Sequence, residues 1–283
     1  MAPLPASQSI LCGFIAYLAN QNLSYTTIKT YLSAVRYLHL CNGLPDPRAL
    51  PTPRLDLVSR GIRRENALRS TSHPRLPITP PILRQVRALW SGSADNFDTI
   101  MLWAASTLCF FGFFRVGEIT SPSDREFNPQ LHLSFSDVAV DSLSAPTVLQ
   151  IHLKQSKTDQ FRHGIDVFIG KTGDDLCPVS AVLAYLAARQ GDPGALFRFQ
   201  DGRLLTPTRF TNRVREALEA LGLHSTHYAG HSFRLGAATT AAERGLEDSL
   251  IKALGRWEST AYLVYVRTPR ERLAAVSKLL SRQ

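Results

Sequence analysis

The sequence contains no apolar run long enough to cross a bilayer. A spanning helix needs roughly 18 to 20 apolar residues, and the longest apolar stretch, residues 99–114, stops at Arg115. We interpret this stretch as part of a buried core helix that runs from about 97 to 119. The first residues have no basic segment followed by an apolar block, so no secretory signal is expected. These absences predict an intracellular protein without membrane contact.

Cysteine is scarce, and its spacing fits neither a disulfide framework nor a zinc site. The four cysteines lie far apart in the chain, at Cys12, Cys41, Cys109 and Cys177. Scattered cysteines of this kind are typical of reduced, packed thiols in intracellular proteins.

A phosphate-binding loop is also missing. Gly164 and Gly170 precede Lys171, but five residues separate the two glycines where the motif requires four. The residues between them alternate like a strand, so their backbone amides cannot converge on a phosphate.

Metal ligands are few. His224, His227 and His231 have a spacing that leaves a metal site open, yet no Cys, Asp or Glu lies among them. We interpret the first two as local polar residues and predict neither a metal nor a cofactor. A metal-dependent hydrolase remains an alternative.

Acidic residues are outnumbered. The chain has 32 Lys and Arg against 23 Asp and Glu, a formal net charge of +9, and a pI of about 9.7. Residues 53–75 hold six arginines against two acids, and residues 251–283 hold seven basic side chains against two acids. Clusters like these attract polyanions, and nucleic acid is the leading candidate.

The first part of the chain predicts a small all-helical domain. Apolar residues recur at helical spacing before and after Ser24, and a third helix follows at about 53–67. The helix after Ser24 is expected to bury one apolar face, made of Ile28, Leu32, Val35 and Leu38. A stretch rich in Ser, Thr and Pro near 70–77 marks a boundary between domains 1–72 and 73–283.

The second domain predicts helices around one small antiparallel sheet. Alternating apolar and polar residues predict three short strands at 131–140, 147–155 and 164–170. Helical patterns lie on both sides of them in the sequence. The expected fold class is mainly α with a small antiparallel β-sheet.

Five short segments carry residue types that can act on a phosphate: fixed cations, an imidazole, N–H donors and phenols. In chain order they hold Arg115 and Glu118, Lys154 and Lys157, His231 and Arg234, Trp257, and Tyr262 and Tyr265. A spacing of three puts His231 and Arg234 on neighbouring positions of a helix surface. Taken singly, each segment is explained by a surface ion pair, a hairpin turn, a helix start or core packing.

Together and in this order, the segments resemble the motifs of the tyrosine recombinase (phage integrase) family. The matching stretches read FFRVGEI, SKTD, GHSFR and LGRW followed by YVR, and the helix after Ser24 resembles the core-binding domain of the family. The sequences of these motifs are most similar to those of recombinases of eukaryotic transposons, such as DIRS-type elements and Cryptons. The resemblance implies a SAM-like core-binding domain, a catalytic domain, double-stranded DNA as partner, and no metal.

The resemblance also implies the reaction, which is DNA cleavage and rejoining through a 3′-phosphotyrosyl intermediate. It implies Arg115 and Arg234 as clamps on the scissile phosphate, with Glu118 supporting Arg115. It implies Lys157 as general acid and His231 as proton-transfer partner. Attack on a phosphodiester builds negative charge on its oxygens, which guanidinium and N–H groups stabilise.

For the last segment, the resemblance implies Trp257 as a hydrogen-bond donor to phosphate and Tyr265 as nucleophile. Tyr265 follows Trp257 by eight positions, whereas nine is usual in bacterial members of the family. Tyr262 therefore stays open as the alternative nucleophile.

Basic residues of the first domain are expected to line the DNA channel: Lys29, Arg36, Arg60, Arg63 and Arg64. A C-terminal helix from Pro269 is expected either to dock on a neighbouring subunit of a homotetramer or to pack on its own domain. If the resemblance to eukaryotic elements holds, the protein is nuclear. Two further alternatives are a domesticated, non-catalytic DNA-binding protein and a type IB topoisomerase-like enzyme.

Overall fold

The structure, a computed structural model of the chain, describes residues 4–69, 75–92, 97–156, 163–190 and 193–266. The chain divides into two compact units, Met1–His73 and Pro74–Gln283. Within the described residues, no helix is both long and apolar enough to cross a membrane.

The first unit is helical. Its helices are α1 (Gln8–Asn20), α2 (Tyr25–Cys41) and α3 (Pro53–Arg69). Ser24 caps α2 because its Oγ accepts a hydrogen bond from the backbone N–H of Thr27 at 3.1 Å. The three helices bury one apolar cluster, made of Leu11, Ile15, Leu18, Ile28, Leu32, Leu55 and Ile62.

The periodicity predicts that the buried face of α2 ends on Leu38. In the structure it ends on His39 instead. Leu38 is 49% exposed, whereas His39 is fully buried. The Nε2 atom of His39 accepts a hydrogen bond from the backbone N–H of Ala6 at 2.8 Å, and Nδ1 contacts the Val35 carbonyl at 2.7 Å. Burial of the imidazole is tolerated because both ring nitrogens have partners.

The second unit is built around an apolar helix, α5, which packs against α4, α7 and α9. Its helices are α4 (Pro80–Ser91), α5 (Phe97–Phe111), α6 (Val116–Ile119), α7 (Pro178–Arg189), α8 (Pro207–Ala220), α9 (Ser232–Glu243) and α10 (Asp248–Gly255). Short 3-10 turns cover Phe135–Asp137, Ser225–His227 and Thr260–Val264.

The sheet contains three antiparallel strands in the order β1 (Val138–Val140), β2 (Val148–Leu153) and β3 (Ile165–Gly170). This architecture confirms the predicted fold class. The first strand is shorter than predicted because Asp137 accepts a hydrogen bond from the backbone N–H of Ser134 at 2.7 Å. That bond forms a capping box, and the chain makes a 3-10 turn before it enters β1.

The prediction of one helix over 97–119 is wrong. Helix α5 ends at Phe111, and Phe113 takes a left-handed conformation with φ of 51°. Gly112 permits this break, since a Cβ atom there would lie 2.3 Å from the ring of Phe114. The chain then enters α6 with Arg115 as its N-cap.

Candidate active site

One open cleft of the second unit collects three residues that are far apart in the sequence. Arg115, His231 and Tyr265 all line it, and its volume is about 650 Å³. Polar residues of α8 also line it: Thr208, Thr211, Asn212 and Arg215. The fold therefore brings a cation, an imidazole and a phenol to a single surface.

Arg115 is held by Glu118 in two ways. The Arg115 Nη1 atom donates to Glu118 Oε1 at 2.6 Å, and the Arg115 backbone N–H donates to Glu118 Oε2 at 2.9 Å. The Arg115 side chain keeps 17% of its surface exposed and that of Glu118 keeps 6%. A buried carboxylate that grips both ends of one residue fixes the direction of its guanidinium.

Arg234 is fully buried and lies behind the cleft. Its Nη1 donates to the Phe113 carbonyl at 3.0 Å, and its Nη2 donates to the Gly255 carbonyl. Burial lowers the pKa of Arg234 to about 10, and the nearby charge of Arg115 adds to this effect. The guanidinium stays protonated at neutral pH, and its buried Nε has no hydrogen-bond partner.

Two aromatic rings cover Arg234. Its Cζ lies 4.3 Å from the ring centroid of Trp257 and 5.7 Å from that of Tyr265. The centroids of these two rings are 5.2 Å apart. Such stacking of a cation on aromatic faces is favourable and shields the charge from water.

The termination of α10 places Trp257. Gly255 must be glycine here, because a Cβ atom would lie 1.7 Å from the Trp257 ring. The Trp257 backbone N–H donates to the Lys252 carbonyl at 3.0 Å, so the chain turns back over the end of the helix. The Trp257 ring thus lies against Arg234.

Tyr265 and Tyr262 have different surroundings. Tyr265 lines the cleft, and its ring centroid lies 6.2 Å from that of His231. Tyr262 is only 4% exposed, and its hydroxyl donates to Asp248 Oδ2 at 2.5 Å. That hydrogen bond, together with burial, raises the pKa of the Tyr262 phenol. A nucleophile needs an accessible oxygen that loses its proton, and Tyr265 meets the first requirement better.

His231 is the N-cap residue of α9, one turn before Arg234. Gly230 lets this turn approach α6, since a Cβ atom there would lie 3.2 Å from a methyl group of Val116. His231 consequently faces the cleft while Arg234 enters the interior. Although they are only three residues apart, His231 is exposed and Arg234 is buried.

Of the two lysines in the SKTD region, Lys157 lies outside the described residues. Lys154 is at the end of β2, and its ammonium contacts Asp137 Oδ2 at 2.5 Å and the carbonyl of Pro129 at 2.6 Å. It also donates to the carbonyl of His132 and the hydroxyl of Ser134. Lys154 is thus an anchor of the sheet and does not extend into the cleft.

Basic residues of the first unit form a groove of their own. Lys29 and Arg63 line it together with Tyr25, Thr26, Thr30 and Ser33. Arg60 and Arg64 are exposed on the same helix as Arg63. Arg36 differs, because its Nε donates to Asp46 at 2.6 Å, which lowers the pKa of that carboxyl.

The histidine triplet does not form a cluster of metal ligands. The rings of His224 and His227 are 6.1 Å apart between centroids, and His231 faces the cleft. Across the described part of the chain, no three His, Cys, Asp or Glu side chains come together as a metal site.

The sequence patterns did not identify Arg256 or the polar residues of α8 that line the cleft. Arg256 is nearly buried and donates to Glu118 Oε2 at 3.2 Å. The letters GRW contain it, but only its contact with a carboxylate 138 positions earlier distinguishes it from a surface arginine.

Comparison with known proteins gives relatives of one kind. No protein-family model matches the chain. It is 26% identical over 272 residues to an integrase/recombinase xerD homolog of Selenomonas ruminantium, covering 90% of this chain and 72% of that protein. It is 24% identical over 294 residues to recombinase cre of Escherichia phage P1, covering 98% of this chain and 80% of that protein.

Among solved structures, the fold is similar to that of the XerH site-specific recombinase bound to its palindromic difH substrate. The TM-score is 0.67 at 14% sequence identity, over 98% of this chain and 73% of that one. The chain is thus similar in sequence to two recombinases and similar in fold to a third.

Proposed function

We propose that this protein is a site-specific DNA recombinase that cleaves and rejoins DNA through a 3′-phosphotyrosyl intermediate. One observation carries the proposal: Arg115, His231 and Tyr265 line the same open cleft. Arg234 and Trp257 lie directly behind it. A fixed cation, a proton-handling ring and a phenol around one space suit attack on a backbone phosphate.

In the proposed reaction, the Tyr265 hydroxyl oxygen attacks the scissile phosphorus. A bond forms between that oxygen and phosphorus, and the bond from phosphorus to the 5′ oxygen of the next nucleotide breaks. His231 takes up the phenol proton, and Lys157 gives a proton to the leaving 5′ oxygen. Arg115 and Arg234 stabilise the charge on the non-bridging oxygens, and rejoining reverses these steps with a second DNA end.

Arg234 takes part only after a movement. It has no solvent exposure, and the ring of Tyr265 lies 5.7 Å from its guanidinium carbon. Contact with a phosphate requires that this ring moves aside. Trp257, whose ring centroid lies 4.3 Å from the same guanidinium carbon, then supplies an indole N–H.

A covalent-capture experiment tests the proposal. A DNA site is first selected from a random pool by binding, and then offered as a nicked substrate whose cleaved end diffuses away. The wild-type protein is expected to form an adduct stable to denaturing electrophoresis. Tyr265→Phe is expected to form none, because it lacks the attacking oxygen, while Tyr262→Phe retains the adduct.

Each other outcome points to a different function. Tight binding without an adduct favours a domesticated DNA-binding protein. Relaxation of supercoiled DNA without a defined site or partner duplex favours a type IB topoisomerase-like enzyme. Activity that a chelator abolishes favours the metal-dependent hydrolase, and an adduct lost only in Tyr262→Phe reassigns the nucleophile.

The proposal extends to DNA binding by the first unit. The groove lined by Lys29 and Arg63 supports it, because two basic side chains beside hydroxyl and phenol groups suit a phosphate backbone. Arg60 and Arg64 add exposed positive charge on α3. Arg36 contributes less, since Asp46 already neutralises it.

Two finer points belong to the same proposal. We propose, from the sequences of its motifs, that the protein is a recombinase of a eukaryotic transposon and that it acts in the nucleus. We also propose a homotetramer on DNA, joined by the segment from Pro269, whose apolar residues Leu273, Val276 and Leu280 recur at helical spacing. Sedimentation of the DNA complex, with Leu273→Ala and Val276→Ala as variants, tests the assembly.

A further inference from the structure

Arg256 occupies a backbone conformation that normally favours glycine. It is the C-cap residue of α10, with φ of 54° and ψ of 47°. An L side chain is strained in this left-handed region, and glycine is the usual residue where a helix ends this way. A side chain retained at such a position is expected to make contacts that compensate for the strain.

The Arg256 side chain crosses to the turn between α5 and α6. Its Nη1 donates to the Gly112 carbonyl at 3.0 Å, and its Nη2 donates to the Phe113 carbonyl at 3.1 Å. Nη2 also donates to Glu118 Oε2 at 3.2 Å. One guanidinium thus ties the end of α10, immediately before Trp257, to the segment that carries Arg115.

Arg256 shares two of these partners, Glu118 and the Phe113 carbonyl, with the arginines proposed to bind phosphate. Glu118 holds Arg115 through its other oxygen at 2.6 Å. The Phe113 carbonyl accepts from Arg234 at 3.0 Å as well as from Arg256. Arg256 therefore contacts a hydrogen-bond partner of Arg115 and a hydrogen-bond partner of Arg234.

The charges agree with this arrangement. Three guanidinium groups surround the single carboxylate of Glu118, so the cluster keeps an excess of positive charge beside the cleft. Arg256 keeps only 8% of its side-chain surface exposed. Burial lowers the pKa of Arg256, while the charge of Glu118 works in the opposite direction. A net positive cluster of low exposure attracts a phosphate more strongly than a solvated one.

We propose that Arg256 is a positioning residue for phosphoryl transfer, which sets Arg115 through Glu118 and Arg234 through the Phe113 carbonyl. It does not touch the DNA itself. The inference rests on the proposed function. It predicts that Arg256 governs the rate of cleavage in the bound complex and has little influence on DNA affinity.

Two variants test this role. Arg256→Gly removes the side chain and suits the left-handed backbone, so the chain is expected to fold and unfold cooperatively. Its cleavage rate at saturating DNA should fall about 10- to 100-fold, the range for loss of one charge-assisted hydrogen bond, with an unchanged dissociation constant. Arg256→Lys should recover part of the rate, because an ammonium restores the positive charge but not the planar fork that donates from two nitrogens.

A matched control and a double mutant sharpen the test. Arg203→Gly removes the same charge from an exposed ion pair with Asp201 and should leave the cleavage rate unchanged. In a Glu118→Gln background, Arg256→Gly should have a smaller effect than in the wild type, since part of its action passes through that carboxylate.

The remaining outcomes overturn the proposal. If Arg256→Gly cleaves at the wild-type rate, Arg256 does not position the clamps. If it loses folding or affinity while the bound protein cleaves normally, its role is only structural. If the wild-type protein forms no adduct, the proposed function fails and takes this inference with it.

Discussion

Gly236 lies in the middle of α9, shortly after Arg234, where the helix passes against the backbone of Ile78. A Cβ atom at Gly236 would lie 1.9 Å from the Ile78 carbonyl oxygen. The Ile78 N–H donates to the Ser232 carbonyl at 2.9 Å, so the two segments are held in contact. The helix that carries Arg234 therefore keeps its place only with a glycine here.

Gly236→Ala is expected to destabilise the second unit by about 1–3 kcal/mol, because the added methyl forces backbone apart in a packed interior. This stability change is opposite in sign to the one that helix propensity predicts, since alanine stabilises a free helix by about 1 kcal/mol relative to glycine. Chemical denaturation of the purified variant measures the change.

Gly61→Ala is the matched control, in the interior of α3, where a Cβ atom meets nothing within 4 Å. It should leave stability unchanged or raise it. A Gly236→Ala protein as stable as the wild type would contradict the close approach of α9 and Ile78.

In helix α9, the sequence pattern predicted the spacing of two residues but not their exposure to solvent. The spacing of His231 and Arg234 predicted one shared face. The structure places His231 on the cleft and leaves Arg234 without solvent exposure. The difference arises because residues 113 and 255 supply carbonyl partners for Arg234, and no local pattern contains them.

At the scale of elements, Lys154 connects the strand before the SKTD segment to the 3-10 turn at Phe135–Asp137. Its ammonium contacts the Asp137 carboxylate, whose side chain is 9% exposed. Three further oxygens accept from it, on Pro129, His132 and Ser134. An ion pair with this little exposure is costly to break, because water cannot hydrate the charge that remains.

Lys154→Met is expected to lower the free energy of unfolding by about 2–4 kcal/mol, since it leaves the Asp137 carboxylate unpaired. Adding Asp137→Asn should recover part of the loss. Arg213→Met breaks an exposed pair with Glu216 and should change stability by no more than about 1 kcal/mol. Thermal unfolding of the four proteins measures these differences, and equal effects of Lys154→Met and Arg213→Met would contradict the assigned anchor.

The elements themselves were largely predictable, apart from their ends. Long periodic segments predicted α2, α5 and α8, and alternation predicted the strands. The break after Phe111 escaped prediction because the apolar character continues through Phe113 and Phe114. The turn is decided by the Phe114 ring, which folds back over Gly112.

At the scale of the whole molecule, the net charge of +9 is divided among roles that composition cannot separate. In the second unit, Arg234 is fully buried and Arg256 is nearly buried. Lys29 and Arg63 line an open groove of the first unit. Only exposed and unpaired cations of the second kind release counterions when a protein binds DNA.

Lys29→Ala combined with Arg63→Ala should reduce the salt dependence of DNA binding. Each lost phosphate contact lowers the slope of log affinity against log salt by about 0.9, so the double variant should lose about 2 units. Fluorescence anisotropy over a salt series measures the slope.

Arg36→Ala serves as the comparison, because Asp46 already pairs with Arg36. Its slope should change by less than that of either single variant in the groove. An unchanged slope for the double variant would remove the groove from the proposed DNA surface.

The sequence by itself determined the class of fold, the excess of positive charge and the order of the chemical residues along the chain. These properties depend on periodicity and residue type, which are local. Tertiary structure alone decided that Tyr265 lines the cleft while the Tyr262 hydroxyl is hydrogen-bonded to Asp248. It also placed Arg256 between Glu118 and Phe113, over 130 positions away. Burial and hydrogen bonding across such separations arise only when the folded chain brings distant backbone and side chains into contact.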